Sequence, residues 1–411
     1  MAPTVPRKAV ATEGDTLADG QVQGGSGAQP SRRPGLRDRL ELSRGGADRL
    51  ASMEGLRGLA VLLVFMVHYT DRALPWIEGT WVEGFASQVG DAGNSGVDLF
   101  FVLSGFLIYG NLMRREQAYR PFVRRRLRRI YPTFLVVLAA YVVVSFAIPS
   151  ESKLPGSLAE IPPYLLFNAL LLPGIIPVPA FITVAWSLSY EVFFYLTVPI
   201  LITRLNLRER TEQWRWRFFV RLALGLVLLG GVISGAHPRM SMFVGGMLLW
   251  EWLTYRWPRQ ADDPEAVRKV DRWSTVALVV GVLSLFVLPG DFAFNLPRVV
   301  VLLVAWPVLC AGCFAVDRRC RRWFSWTPLR LLGNVSYSFY LVHSLVLQAF
   351  AFGLKQVWPP PVGRRGLVVV RRAGARLRRL GGGIDHAVPG RREAVVALED
   401  GETPREGARP S

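Results

Sequence analysis

The sequence predicts an all-α fold, a polytopic bundle of membrane-spanning helices, and three observations carry that expectation. Apolar residues make up 51% of the chain. They gather into runs at 58–67, 97–112, 134–149, 192–202, 218–234, 240–253, 275–289, 299–316 and 335–354, longer and more numerous than one soluble core needs but suited to bilayer spans of about 20 residues. The third observation is charge: a formal net charge of +18 is crowded into the short segments between the runs, as in cytoplasmic loops beside a membrane. That placement argues against nucleic acid as a partner and for a lipid bilayer.

Each element follows from composition and the positive-inside rule. Residues 1–50 are rich in Gly, Arg, Asp and Ser without an apolar run, so they read as a disordered cytoplasmic arm. No signal-peptide core is present, and the first span doubles as the targeting signal. The densest basic segment, "RREQAYRPFVRRRLRR" (114–129), belongs inside. The connection 70–95 carries Asp71, Glu78, Glu83 and Asp91 against Arg72 alone, so it faces outward. The first span then runs outward, the second returns from about 96, and the third leaves again at 131–149. The stretch 162–181 is broken by Pro173, Pro177 and Pro179. It reads as re-entrant, because a full crossing would place the arginine-rich 204–221 outside. Spans at 184–203, 217–235, 240–256, 273–289, 297–316 and 334–357 complete a set of nine full spans plus the re-entrant segment, forming a membrane domain over 51–358. The N-terminus is cytoplasmic and the membrane is the cell inner (plasma) membrane.

An ionisable residue within a span costs about 2.5–3.5 kcal/mol on the insertion scale, so each one needs a reason. In "EGLRGLAVLLVFMVHYTDR" (54–72), Arg57 and His68 are eleven residues apart. Eleven steps of about 100° bring them to one helix face, about 16 Å apart along the axis. Asp98 opens the second span at a depth similar to that of His68, and a carboxylate beside an imidazole fixes its tautomer and raises its basicity, as a general base requires. A buried ion pair that fixes helix packing is the alternative. Glu191, two turns into its span, can orient a substrate hydroxyl, cap a helix or pair with an arginine. Arg126 and Arg129 share a helix face and suit a phosphate clamp or an anionic-lipid anchor. His343 reads as a packing residue, and Glu251 as a snorkelling side chain without function. Cys310 and Cys313 form a CxxC without further ligands nearby, so they read as packed thiols and no metal site is expected.

Taken together, "GLRGLAVLLVFMVH", "SGVDLFFVLSGFLI", "RRRLRRIYP", "WSLSYEVFFYL" and "LGNVSYSFYLVH" resemble the acyltransferase family 3 integral-membrane O-acyltransferases, in the family's order and over about residues 53–343. The family's Arg-x10-His motif falls on Arg57 and His68, its Arg-x-x-Arg motif on Arg126 and Arg129, and its acidic positions on Asp98 and Glu191. The resemblance implies acyl-CoA, most simply acetyl-CoA, as a co-substrate on the cytoplasmic side, with no bound cofactor. Across the membrane it implies a hydroxyl acceptor such as a surface polysaccharide, another carbohydrate or a macrolide. His68 and Asp98 would then be the base and its orienting acid, Arg57 would position the donor or steady the oxyanion, and Arg126 and Arg129 would bind CoA.

Family members usually carry a tenth span, whereas residues 359–411 read as a disordered basic tail. The abrupt loss of apolar runs and aromatics after Trp358 suggests a frameshifted or truncated replacement of that span, in which case the chain would be an inactive truncated acyltransferase. A rival from another class is a secondary transporter of polar metabolites or lipid-linked sugars, since intramembrane Asp, Glu and His also build proton relays. No internal repeat of the transporter kind supports it.

Overall fold

A computed structural model describes residues 48–232, 238–288 and 296–361. The arm and tail expected at 1–50 and 359–411 fall almost wholly outside the described residues. Helices α1 (Asp48–Ile77), α2 (Val82–Gly93), α3 (Ser95–Arg114), α4 (Tyr119–Ala147) and α5 (Ile161–Ala169) come first. They are followed by α6 (Ala185–Arg204), α7 (Glu212–Val232), α8 (Ser241–Glu251) and α9 (Pro264–Val287). The chain ends with α10 (Leu296–Ala315), α11 (Arg319–Phe324), α12 (Thr327–Asn334) and α13 (Ser336–Val357). Among the described residues the only β pairing is an isolated bridge between Pro173 and Ile176. The molecule is an all-α bundle, as the apolar periodicity predicts.

Among the described residues, seven stretches are long and apolar enough to cross a membrane: Ala51–Ile77, Val82–Arg114, Tyr119–Ala147, Ala185–Arg204, Pro264–Val287, Leu296–Ala315 and Ser336–Val357. The two other expected spans, 217–235 and 240–256, also form helices, of a different character. α7 carries Glu212, Arg215, Arg217 and Arg221 in its first half, which lowers its hydropathy. α8 has eleven α-helical residues and then passes into a π-helical turn at Trp252–Arg256. The connection 70–95, expected to face outward, is largely helical. Small residues let α2 lie on α1, where Gly90 meets Thr70 and Gly93 meets Leu63 and Val67.

The proline-broken stretch folds as a nine-residue helix and a returning loop. At about 1.5 Å per residue, α5 is far too short to span. Asn168 pins the loop, accepting from the Phe181 amide at 2.7 Å and donating to the carbonyls of Tyr164 and Pro179. Backbone freed by the prolines is thus bonded to protein, the condition for irregular chain at membrane depth.

α3 and α8 form the centre. Nearly all of α8 is buried, and Gly105 and Gly246 let its backbone and that of α3 approach with no room for a Cβ. α4 and α9 are peripheral and expose Val136, Val143 and Phe146, and Val279, Leu283 and Val287, respectively. Such apolar surface is the expected face toward lipid. α1 is gripped at its basic end by α12. A Cβ on Gly58 would lie 2.0 Å from the Leu329 carbonyl oxygen, and one on Gly333 would lie 1.7 Å from that of Glu54. These contacts fix the register in which Arg57 enters the bundle.

Candidate active site

Arg57 is half-buried and donates through Nη2 to Ser336 Oγ at 3.1 Å. Eleven residues along α1, the His68 ring lies 5.2 Å from the His343 ring. Seven residues separate Ser336 from His343, which places them on one face of α13. The expected common face of Arg57 and His68 is therefore real: both face α13, and the two helices run in the same direction.

A cavity of about 120 Å³ opens beside Arg57 and collects Arg126, Arg129, Glu191 and Tyr195, with Ser187 and Tyr340 further along. The Arg126 guanidinium sits 5.6 Å from the Phe122 ring and 5.9 Å from the Tyr195 ring, a cation–π setting that holds its planar fork in place. Glu191 accepts from Ser104 Oγ at 3.2 Å and from the Tyr195 hydroxyl, and its charge acts on Arg57 and Arg126. The hydrogen-bond partners of Glu191 are thus two hydroxyls, with Arg57 and Arg126 near enough to feel its charge. The cavity leads along α13 from Ser336 to Tyr340, whose hydroxyl bonds Ser187 Oγ at 2.6 Å and whose ring is 6.1 Å from that of His343.

Asp98 is not part of this constellation, and the expected His68–Asp98 pair does not form. Gly96 faces Ala60, Leu63 and Val64 of α1. Asp98, two residues on, points about 200° away, on the side where Phe101 stacks on Phe243 of α8. Its carboxylate lies 3.6 Å from Arg239, both groups nearly inaccessible, so the ion-pair alternative is the one observed. Similar depth on neighbouring helices does not amount to a shared face.

Glu251 also departs from expectation, being fully buried and not snorkelling. Arg215 grips it with two hydrogen bonds, at 2.7 and 2.9 Å, and the Tyr109 hydroxyl donates at 2.5 Å. Cys310 and Cys313 are buried thiols, and the Cys313 carbonyl accepts from Ser52 at 3.1 Å. Among the described residues no cluster suits a metal ion.

Beyond the histidine pair, the connection after α4 folds over the ends of α1 and α13. Glu151 lies 3.8 Å from Arg72, 3.3 Å from Gln348 Nε2 and 3.4 Å from Lys355. Lys153 donates to Thr183 Oγ1 at 2.8 Å. Burial, reinforced by the Arg72 charge and opposed by Glu151, pushes the Lys153 amine down to about 8.

Sequence reasoning did not place Ser104, Tyr195, Ser336 or Tyr340 in the site and gave His343 only a packing role. The available signals were spacings: Tyr195 one turn from Glu191, and Ser336 two turns from His343.

Helical spans around an arginine-lined cavity, with two facing imidazoles one helical turn beyond its Tyr340 end, define a multi-pass membrane protein with a site inside its bundle. The chain belongs to acyltransferase family 3, whose acyltransferase domain matches residues 50–370. It is 36% identical over 174 residues to the acyltransferase MdmB of Streptomyces mycarofaciens, covering 39% of this chain and 42% of MdmB. It is 26% identical over 336 residues to the O-acetyltransferase OatA of Staphylococcus aureus, covering 72% of this chain and 50% of OatA. The chain thus spans half or less of the length of these curated relatives. No solved structure matches it. Secondary transport is not the class this family defines.

Proposed function

We propose that the chain is an O-acyltransferase. It takes an acyl group, acetyl in the first instance, from acyl-CoA at the arginine end of the bundle. It delivers that group to a hydroxyl of a sugar, surface polysaccharide or macrolide-type acceptor at the other end. The observation that carries this reading is the arginine-lined cavity, which extends from Arg57, Arg126 and Arg129 along α13 to Tyr340, one turn before His343 of the His68–His343 pair. Guanidinium groups suit the phosphates of CoA, and the tyrosine-lined passage suits its acyl-bearing arm. In this reading the arginine end is cytoplasmic, the histidine end faces outward, and the membrane is the cell inner membrane.

His68 removes the acceptor proton as the hydroxyl oxygen attacks the thioester carbonyl carbon. The new C–O bond forms, the tetrahedral oxyanion collapses with cleavage of the C–S bond, and the proton passes from His68 to the departing CoA thiolate. Arg57, about 16 Å from His68 along α1, holds the donor's phosphates and does not reach the oxyanion, and Glu191 keeps Arg57 and Arg126 in place. Asp98 contributes by fixing α3 through Arg239, not by touching the reacting atoms.

The test is transfer from labelled acetyl-CoA by membranes carrying wild type or His68→Ala at matched expression. Loss of transfer of roughly 10²-fold or more is expected for removal of a general base. Wild-type rates in the variant would refute the assignment.

A further inference from the structure

The base needs a partner, and the carboxylate expected for it is elsewhere. The charges that act on His68 are those of Lys153 and Arg72, together with the His343 ring. None of the three supplies a carboxylate, and Glu151 is engaged with Arg72, Gln348 and Lys355. An imidazolium formed at His68 therefore stands among cations, with the lone pair of one neighbouring ring available to it.

That lone pair can be located. His343 Nδ1 lies 3.0 Å from the Phe339 carbonyl oxygen. A carbonyl only accepts, so Nδ1 carries the proton and Nε2 is the bare nitrogen. His343 is 4% exposed, and Nε2 is buried with no hydrogen-bond partner among the described residues, a state that costs free energy unless it serves a purpose. The ring is held by stacking on Phe339 at 5.8 Å and 7°, with Phe65 at 6.2 Å. Its centroid is 5.2 Å from that of His68. Two imidazoles joined by an N–H···N bond stand at about this separation, a donor–acceptor distance of about 3 Å plus a ring radius at each end.

We propose that His343 is the positioning residue of the base. Its Nε2, unbonded in this structure, takes a hydrogen bond from a ring N–H of His68 after a small rotation of that ring, and this leaves the other His68 nitrogen as the lone pair that takes the acceptor proton. No carboxylate takes part, and His343 stays neutral throughout. The inference rests on the acyl-transfer reading for its kinetic consequences, but the hydrogen bond can be observed without turnover.

Two measurements on the full chain in nanodiscs test it. The chain has four histidines, so 15N-histidine NMR can follow each ring. The Nε2 resonance of His343 should lie at a hydrogen-bonded position and shift on His68→Ala. A resonance unmoved by that change overturns the proposal. The second measurement is transfer from labelled acetyl-CoA, with folding checked by size-exclusion chromatography. His343→Phe should lower kcat roughly 10- to 100-fold, the size of a hydrogen bond to a charged group, with KM for acetyl-CoA within about twofold. His343→Gln, which keeps an acceptor at a similar reach, should restore most of that loss. Equal losses in the two variants, or a change confined to KM, would mark His343 as structural and overturn the proposal. Absence of transfer by wild type would count against the acyl-transfer reading, while the NMR measurement would still decide the histidine pair.

Discussion

Single side chains decide which end of the cavity does what. Arg126 and Arg129 were legible as a pair, because three residues on a helix share a face whatever the rest of the fold does. Their placement against Tyr195 and Glu191 makes a donor site the expected outcome. Replacing both with alanine should raise the KM for acetyl-CoA at least roughly tenfold, the loss of one or two charge-assisted bonds, and change kcat less. Initial-rate kinetics in membranes checks this, and an unchanged KM would leave the pair as a lipid anchor. Lys153 makes a second prediction. Its amine is pushed down to about 8 from an ordinary 10.5, so the folded chain binds fewer protons than the unfolded chain between those values. The resulting stability penalty is full below about pH 8 and fades as pH rises toward 10.5. Lys153→Met should therefore melt above wild type at pH 7.5, and the gap should narrow by pH 9.5. A gap independent of pH would show that the amine is not desolvated.

Among the helices, the contact that matters most is α1 against α12. Glycines at 58 and 333 were visible in the sequence as "EGLRG" and "LGN", but nothing in either stretch says that one packs on the other. The reason is physical: with apolar side chains solvated equally by lipid, helices associate through close backbone approach, which small residues permit and do not by themselves direct. Gly333→Val would force its Cβ against the Glu54 carbonyl oxygen. An overpacking cost of about 1–3 kcal/mol or more is expected, together with a shift of Arg57. A lower melting temperature and weaker acetyl-CoA saturation should appear together. A variant of unchanged stability would mean that α12 does not sit on α1 as described.

At the level of the whole molecule, the alternation of spans sets which face meets the donor. The native cysteines, Cys310, Cys313 and Cys320, are all buried, so introduced cysteines can be read against a quiet background. With the arginine end inside, Ser87→Cys should react with a membrane-impermeant maleimide in intact cells, and Asp262→Cys only after permeabilisation. The reverse pattern would invert the donor and acceptor faces.

The sequence by itself determined the class of fold, most helix positions, the shared face of Arg57 and His68, and the family, because hydropathy, helical period and local motif are properties of neighbouring residues. Tertiary structure alone decided the partners. It turned Asp98 to Arg239, buried Glu251 against Arg215, and set His343 beside His68. Residues on different helices meet only through the rotation and register of those helices, and these are fixed by close contacts such as Gly96 on α1 that no single segment contains.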